Sequence, residues 1–139
     1  MEHPAMPADP AAIASYHAHI YFDAATRPAA ERLRGWIGAR FAVQLGRWHE
    51  KTVGPHAAPM YQVAFDKALF AEFVLWLMLN RLGLTVFVHP NTDDPWADHL
   101  VHALWLGAVL PLSAEGLPRS LAARGEAPAP VVPNTAPGG

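Results

Sequence analysis

The sequence contains no cysteine, and only 16% of its 139 residues are charged. Without cysteine, a disulfide framework and a thiolate metal site are both excluded, so any metal must be bound by imidazole, carboxylate or water. The Lys and Arg residues are scattered, and the formal net charge is −2. Because a phosphate backbone is bound through concentrated positive charge, nucleic acid is not an expected partner.

Long hydrophobic runs are also missing. The longest extends only from Phe73 to Leu79, whereas a membrane-spanning helix needs about 20 apolar residues. Residues 1–14 lack the charged start and apolar centre of a signal peptide. We therefore expect a cytoplasmic protein with no membrane partner.

Proline and alanine dominate both ends of the chain. Residues 1–14 and 113–139 offer too little large apolar surface to offset the entropy lost on ordering. They are predicted to be a flexible N-terminal tail and a Pro/Ala-rich C-terminal tail. Residues 15–112 are of a size suited to a single domain.

The periodicity of apolar residues within this domain predicts the order strand, helix, strand, strand, helix, strand. The predicted strands cover residues 15–23, 47–51, 60–66 and 84–89. The helices begin after Thr26 and Asp66 and end near Gly46 and Gly83. This order predicts an α+β, ferredoxin-like βαββαβ sandwich, whose antiparallel sheet has the strand order 4-1-3-2 and one open face. A C-terminal extension follows, with a short helix at residues 96–103.

Two histidines on the first strand are the most informative residues. Alternation places Tyr16, Ala18, Ile20 and Phe22 towards the helices, and therefore His17 and His19 on the open face. The first and last strands are antiparallel neighbours, so His17 should approach His89. Imidazoles at such positions can converge on one ion. The alternative is that an isolated H-x-H is a pair of hydrogen-bonded, partly exposed side chains, which is the commoner case.

Further polar residues are candidates for the same face. Gln62 is expected there on the third strand, and Arg47 and His49 also if Trp48 turns inward. His56 lies in the predicted hairpin loop. His99 and His102 are spaced so that a helix could place them over the open face, although they fit an ordinary surface helix equally well.

Several motifs together resemble one known family. YHAHIYFD, LGRWHEKTVGPHAAPMYQVAF, WLMLNRLGLTVFVHPNTDD and DHLVHALWLG, in this order, are similar to the DOPA 4,5-dioxygenase family of fungi and bacteria over residues 15–112. The resemblance implies a non-haem Fe(II) enzyme that cleaves a catechol such as L-DOPA with O2 in extradiol fashion, giving seco-DOPA and betalamic acid-type products. The residues that match the family's four motifs are His17 and His19; His49, Glu50 and His56; His89, Pro90, Asn91 and Thr92; and Asp98, His99 and His102.

The resemblance and the predicted faces together assign roles. The expected Fe(II) ligands are His17, His19 and His89. The expected acid or base is His49, His56 or His102. The expected substrate-binding residues are Arg47, Gln62 and Tyr21, with Arg47 pairing with the carboxylate of a DOPA-like substrate.

Two rival interpretations belong to other classes. One is a non-catalytic ferredoxin-like homodimer whose open faces stack, with the histidines at the interface. The other is a small-molecule-binding or cofactor-free monooxygenase module of the dimeric α+β barrel type. Either would function without metal.

Overall fold

The computed structural model describes residues 4–138, and its strands form one antiparallel sheet in the order β2-β3-β1-β4-β5. The elements are β1 (Ser15–Tyr21), α1 (Arg27–Arg40), β2 (Gln44–His49), β3 (Met60–Phe65), α2 (Phe70–Asn80), β4 (Val86–Asn91), α3 (Pro95–Leu100) and β5 (Leu104–Leu106). The first four strands have the predicted 4-1-3-2 order. The ferredoxin-like α+β fold is therefore confirmed, and β5 extends the sheet beyond β4.

The core lies between the two long helices and one face of the sheet. Ile20 on β1, Leu33 and Ile37 on α1, and Phe73 and Leu77 on α2 are fully buried in one cluster. Removing such side chains from water contributes about 1.5–3 kcal/mol each, which determines which face of each strand turns inward. The histidines of β1 are left on the opposite face.

Two boundaries differ from the sequence prediction. Helix α1 ends at Arg40 rather than near Gly46, because Phe41 is already extended and β2 begins at Gln44. The register of β2 on β3 shifts between Leu45 and Trp48. This bulge lets both side chains pack against the main core, and Trp48 stacks there on Tyr61.

The second helix also begins differently. A 3-10 turn, Lys67–Leu69, precedes α2, and the side chain of Asp66 makes no capping hydrogen bond. The final strand of the predicted motif begins at Val86 rather than Leu84, because Leu82 and Gly83 form a turn with positive φ. None of the helices in the described part of the chain is long and apolar enough to cross a membrane.

Residues 118–135, called here the C-terminal strap, are hydrogen-bonded to the domain at both ends. Near its start, Leu121 N donates to the carbonyl of Asp93 at 2.7 Å. Near its end, the Asn134 amide bonds both the N–H and the carbonyl of Leu45 on β2. The domain boundaries and the flexibility of both tails stay predictions.

Candidate metal centre

The ladder places the predicted ligands side by side. His17 pairs directly with His89 across the β1–β4 ladder, and His19 pairs with Phe87 on one side and Gln62 on the other. All of these side chains lie on the face away from the helices, as alternation predicts. A ligand nitrogen from each of His17, His19 and His89 lies within 4.8 Å of the other two.

The closest contact in the cluster joins His19 and His89. Their Nε2 atoms are 3.1 Å apart. Two nitrogens that share one ion at bond lengths of about 2.1 Å are separated by this distance when the angle between the bonds is about 95°. The separation therefore suits two ligands in neighbouring positions around one metal ion.

Backbone carbonyls orient two of the rings. The Nδ1 atoms of His89 and His99 lie 2.8 Å and 2.7 Å from the carbonyl oxygens of Pro90 and Pro95. Because a carbonyl only accepts, each Nδ1 carries the proton and each neutral ring keeps its lone pair on Nε2. In His89 that lone pair faces His19. This arrangement is typical of metal-binding histidines, whose other nitrogen donates to a carbonyl or carboxylate.

Burial keeps the cluster neutral. It lowers the pKa of His17 to about 4, with the neighbouring His99 as the second cause. The pKa values of His19 and His89 are also held well below the ordinary value of 6.5 by burial and by the surrounding imidazoles. Neutral imidazole is the form that binds a metal, so these rings need not lose protons near pH 7.

His56 reaches the cluster from the loop between β2 and β3. An isolated bridge to Leu112 holds this part of the loop, and the His56 ring lies 4.1 Å from that of His19. Its Nδ1 is 2.5 Å from the hydroxyl oxygen of Tyr21. Burial, followed by the effect of His99, lowers the pKa of His56 to about 4, and burial raises the pKa of Tyr21.

His99 joins the site although it was not among the assigned catalytic or metal-binding residues. Helix α3 places the His99 ring against the His89 ring, with 4.0 Å between the ring centres. The signal in the sequence was its place in the last family motif and its predicted helix. The orientation of this helix depends on Asp98. Its buried carboxylate accepts hydrogen bonds from both the N–H and the hydroxyl of Thr92.

Other assigned residues lie further from the centre. His102 is exposed and lines a different cavity with Tyr16 and Val88, whose side chains face the helices, so it is not brought to the histidine cluster. Arg47 is exposed on edge strand β2. Glu50, a carboxylate of the second motif, is paired with Arg27.

The remaining two assigned residues are on the expected face. His49 pairs with Met60 at the end of β2 and is close enough to contribute to the lowered pKa of His56. Gln62 lies beside His19 in the ladder and is half-buried. Both border the cluster without belonging to the group of three nitrogens.

A cleft of about 230 Å³ leads to the cluster from the end of the sheet where β1 begins. His17 and His99 form its inner side. The other lining residues are Asn91, Thr92, Pro95, Asp98, Leu121, Ala127, Pro128 and Ala129. This lining contains no Lys or Arg, so the cleft itself offers no cation to pair with a substrate carboxylate.

The residues present fit a divalent transition metal. Imidazole nitrogens suit Fe, Zn, Cu and Ni. Nδ1 of His19 is buried without a hydrogen-bond partner among the described residues. The buried ring of His19 therefore has hydrogen-bonding capacity that no neighbouring group in the described part of the chain uses, which is uncommon for an ordinary core histidine.

The fold and the cluster together define a ferredoxin-like α+β protein with a candidate three-histidine metal centre on its outer sheet face. The chain belongs to the Dopa 4,5-dioxygenase family, whose model matches residues 16–116. This confirms the resemblance seen in the motifs.

Individual relatives agree with this assignment. The chain is 35% identical over 115 residues to "DOPA 4,5-dioxygenase" of Amanita muscaria, covering 76% of this chain and 50% of the relative. It is 37% identical over 78 residues to an uncharacterized 21.2 kDa protein of Botryotinia fuckeliana, covering 50% of this chain and 43% of that protein. The chain thus spans about half the length of these curated relatives, or less.

A solved structure shares the fold. The crystal structure of "a putative dioxygenase" from Nostoc punctiforme PCC 73102 superposes with a TM-score of 0.77 at 56% sequence identity. The match covers 78% of this chain and 95% of the other.

Proposed function

We propose that this chain is a non-haem Fe(II) dioxygenase that opens the ring of a catechol such as L-DOPA in extradiol fashion. The observation that carries the proposal is the convergence of three neutral imidazoles, from His17, His19 and His89, at the inner end of a cleft large enough for one aromatic ring. Membership of the Dopa 4,5-dioxygenase family supports the same reaction class.

His17, His19 and His89 would hold Fe(II), which would supply Lewis acidity towards a catechol and redox chemistry with O2. The protein's own residues then have separate tasks. The cleft walls orient the ring beside His17. Nε2 of the neutral His56 accepts a catechol proton in the tautomer whose Nδ1–H donates to the Tyr21 hydroxyl oxygen, and this bond holds the imidazole in position. The Nε2 atom of His99 offers a second proton acceptor, because its Nδ1 is bound to Pro95.

The rival homodimer receives no support from the geometry. His19 and His89 are only 3% and 2% exposed in a single chain, so no second copy is needed to cover them. In a metal-free binding module, the short approach of these two rings would be an N–H···N hydrogen bond from His19 Nε2 to His89 Nε2, so the metal-loading test below separates this rival from the proposal.

The test uses protein purified without a histidine tag and loaded anaerobically with Fe(II) or, in parallel, Zn(II). We expect one metal ion per chain, and O2 uptake with a yellow product from L-DOPA or catechol only with iron. His19→Ala should lose metal and activity together while circular dichroism stays unchanged. His102→Ala is the matched control, since that histidine lies outside the cluster. Full activity after chelation of all metal, or full iron content in His19→Ala, would contradict the proposal.

A further inference from the structure

The outer side of the catalytic cleft is built by residues that follow the part of the chain matched by the family. The family match ends at residue 116, yet Leu121, Ala127, Pro128 and Ala129 line the cleft opposite His17 and His99. Leu121 belongs to the hydrogen-bonded start of the C-terminal strap. Ala127, Pro128 and Ala129 belong to its middle.

The start of the strap is bound to the loop after β4. The Asp93 carboxylate accepts the Ser120 hydroxyl and the Ala122 N–H, both at 2.7 Å. The next residue of that loop, Asp94, pairs with Arg119. These contacts hold the strap beside the end of β4 that carries the cleft.

The end of the strap is bound to the opposite edge of the sheet. Besides the two bonds between Asn134 and Leu45, Val132 N donates to the Gln44 side chain at 2.8 Å, and the Thr135 hydroxyl donates to the Phe41 carbonyl at 2.7 Å. β2 and β4 are three strand intervals apart, which is about 14 Å. Residues 127–131 can span about 16 Å when extended, so the strap has the length needed to cross this end of the histidine face.

Proline makes this crossing stiff. Residues 128, 130 and 133 are all prolines, whose φ angle is fixed by the ring. Fewer conformations are therefore lost when the strap is laid across the sheet. Ala127 and Ala129, on either side of Pro128, also line the cleft and have small side chains that leave the cleft its volume.

We propose that the C-terminal strap is the specificity wall of the substrate cleft. In this role, which rests on the function proposed above, Ala127 and Ala129 leave room for one catechol ring with small substituents and exclude catechols with bulky ones. The residues of this wall lie after the part of the chain that the family model matches.

The experiment uses the full chain with three variants and one control. Ala127→Phe and Ala129→Phe each place a bulkier side chain on the wall of the cleft. Asn134→Ala removes the two hydrogen bonds to Leu45 that hold the strap on β2. Ala136→Phe is the matched control, because Ala136 is exposed, directly follows the strap and is not among the residues that line the cleft. Circular dichroism checks that each variant is folded.

The first readout needs no metal or activity. Carbethoxylation of His17 and His99 is followed by peptide mass spectrometry in the metal-free protein, with the exposed His102 as internal reference. We expect at least one of the Phe variants to slow the reaction of His17 several-fold and Asn134→Ala to accelerate it several-fold. Ala136→Phe should match the parent. Rates of His17 that are equal in all four variants would overturn the proposal.

The second readout is the ratio of kcat/KM for catechol to that for 4-tert-butylcatechol with Fe(II) loaded. Asn134→Ala should shift this ratio about tenfold towards the bulky substrate, the discrimination that a close-fitting apolar wall can give. An unchanged ratio with altered His17 access would also overturn the specificity role. If the parent cleaves no catechol, the proposed function fails, and the carbethoxylation rates alone decide whether the strap is the wall.

Discussion

Acidification should destabilise the metal-free protein, because its histidine cluster is buried in the neutral form. The unfolded chain binds a proton at each histidine near pH 6.5, whereas burial delays protonation of His17 and His56 in the folded state to about pH 4. Between these values the unfolded state holds more protons, so the free energy of unfolding falls as the pH is lowered.

The magnitude follows from the same values. A pKa lowered from 6.5 to about 4 corresponds to at most about 3 kcal/mol for each of His17 and His56 over the whole window. Together they approach the total stability of a typical domain, about 5–15 kcal/mol. His19 and His89, whose pKa values are also lowered, add to the loss. We therefore expect acid unfolding to set in well above pH 4.

The assay is urea unfolding followed by circular dichroism at pH values from 7.5 to 4.5 in the presence of a chelator. Replacing His17 by Gln removes one of the protons that the unfolded chain binds and the folded chain does not. The slope of the free energy of unfolding against pH should therefore fall by about 1.4 kcal/mol per pH unit. His102→Gln is the matched comparison, because it replaces an exposed histidine that lies outside the cluster. A free energy of unfolding that stays constant from pH 7 to pH 4.5 would refute the reasoning.

Three further substitutions test separate parts of the molecule. Tyr21→Phe leaves a nitrogen of the buried His56 without its hydroxyl partner, so it should lower the free energy of unfolding in urea by about 1–3 kcal/mol and also lower kcat. A loss of bound iron would contradict a role of Tyr21 confined to His56. Thr92→Val removes the hydroxyl bonded to Asp98 at 2.6 Å; the pKa of Asp98, already raised by burial, should rise further in an NMR titration, and an unchanged value would show that this bond has no influence. Ile37→Ala opens a cavity in the fully buried core and should cost about 2–5 kcal/mol with metal stoichiometry unchanged, whereas a cost under 1 kcal/mol would mean that this part of the core repacks freely.

The candidate metal ligands could be inferred from local chemistry. Alternation along a strand is a property of the backbone, and burial of the apolar set Ala18, Ile20 and Phe22 leaves no choice about the face on which His17 and His19 lie. The antiparallel pairing that brings His17 opposite His89 follows from the order of elements. The boundaries of β2 were less accessible, because its bulge depends on the packing of Trp48.

The sequence by itself therefore determined the fold class, the face of the sheet that carries the site and the three ligand candidates, since each depends on periodicity and on neighbours within one ladder. Only the tertiary structure decided that His99 rather than His102 joins the cluster, because α3 is oriented by the bond between Asp98 and Thr92. The course of the residues after 116 was likewise decided by side-chain contacts with distant loops and strands, which composition and periodicity do not encode.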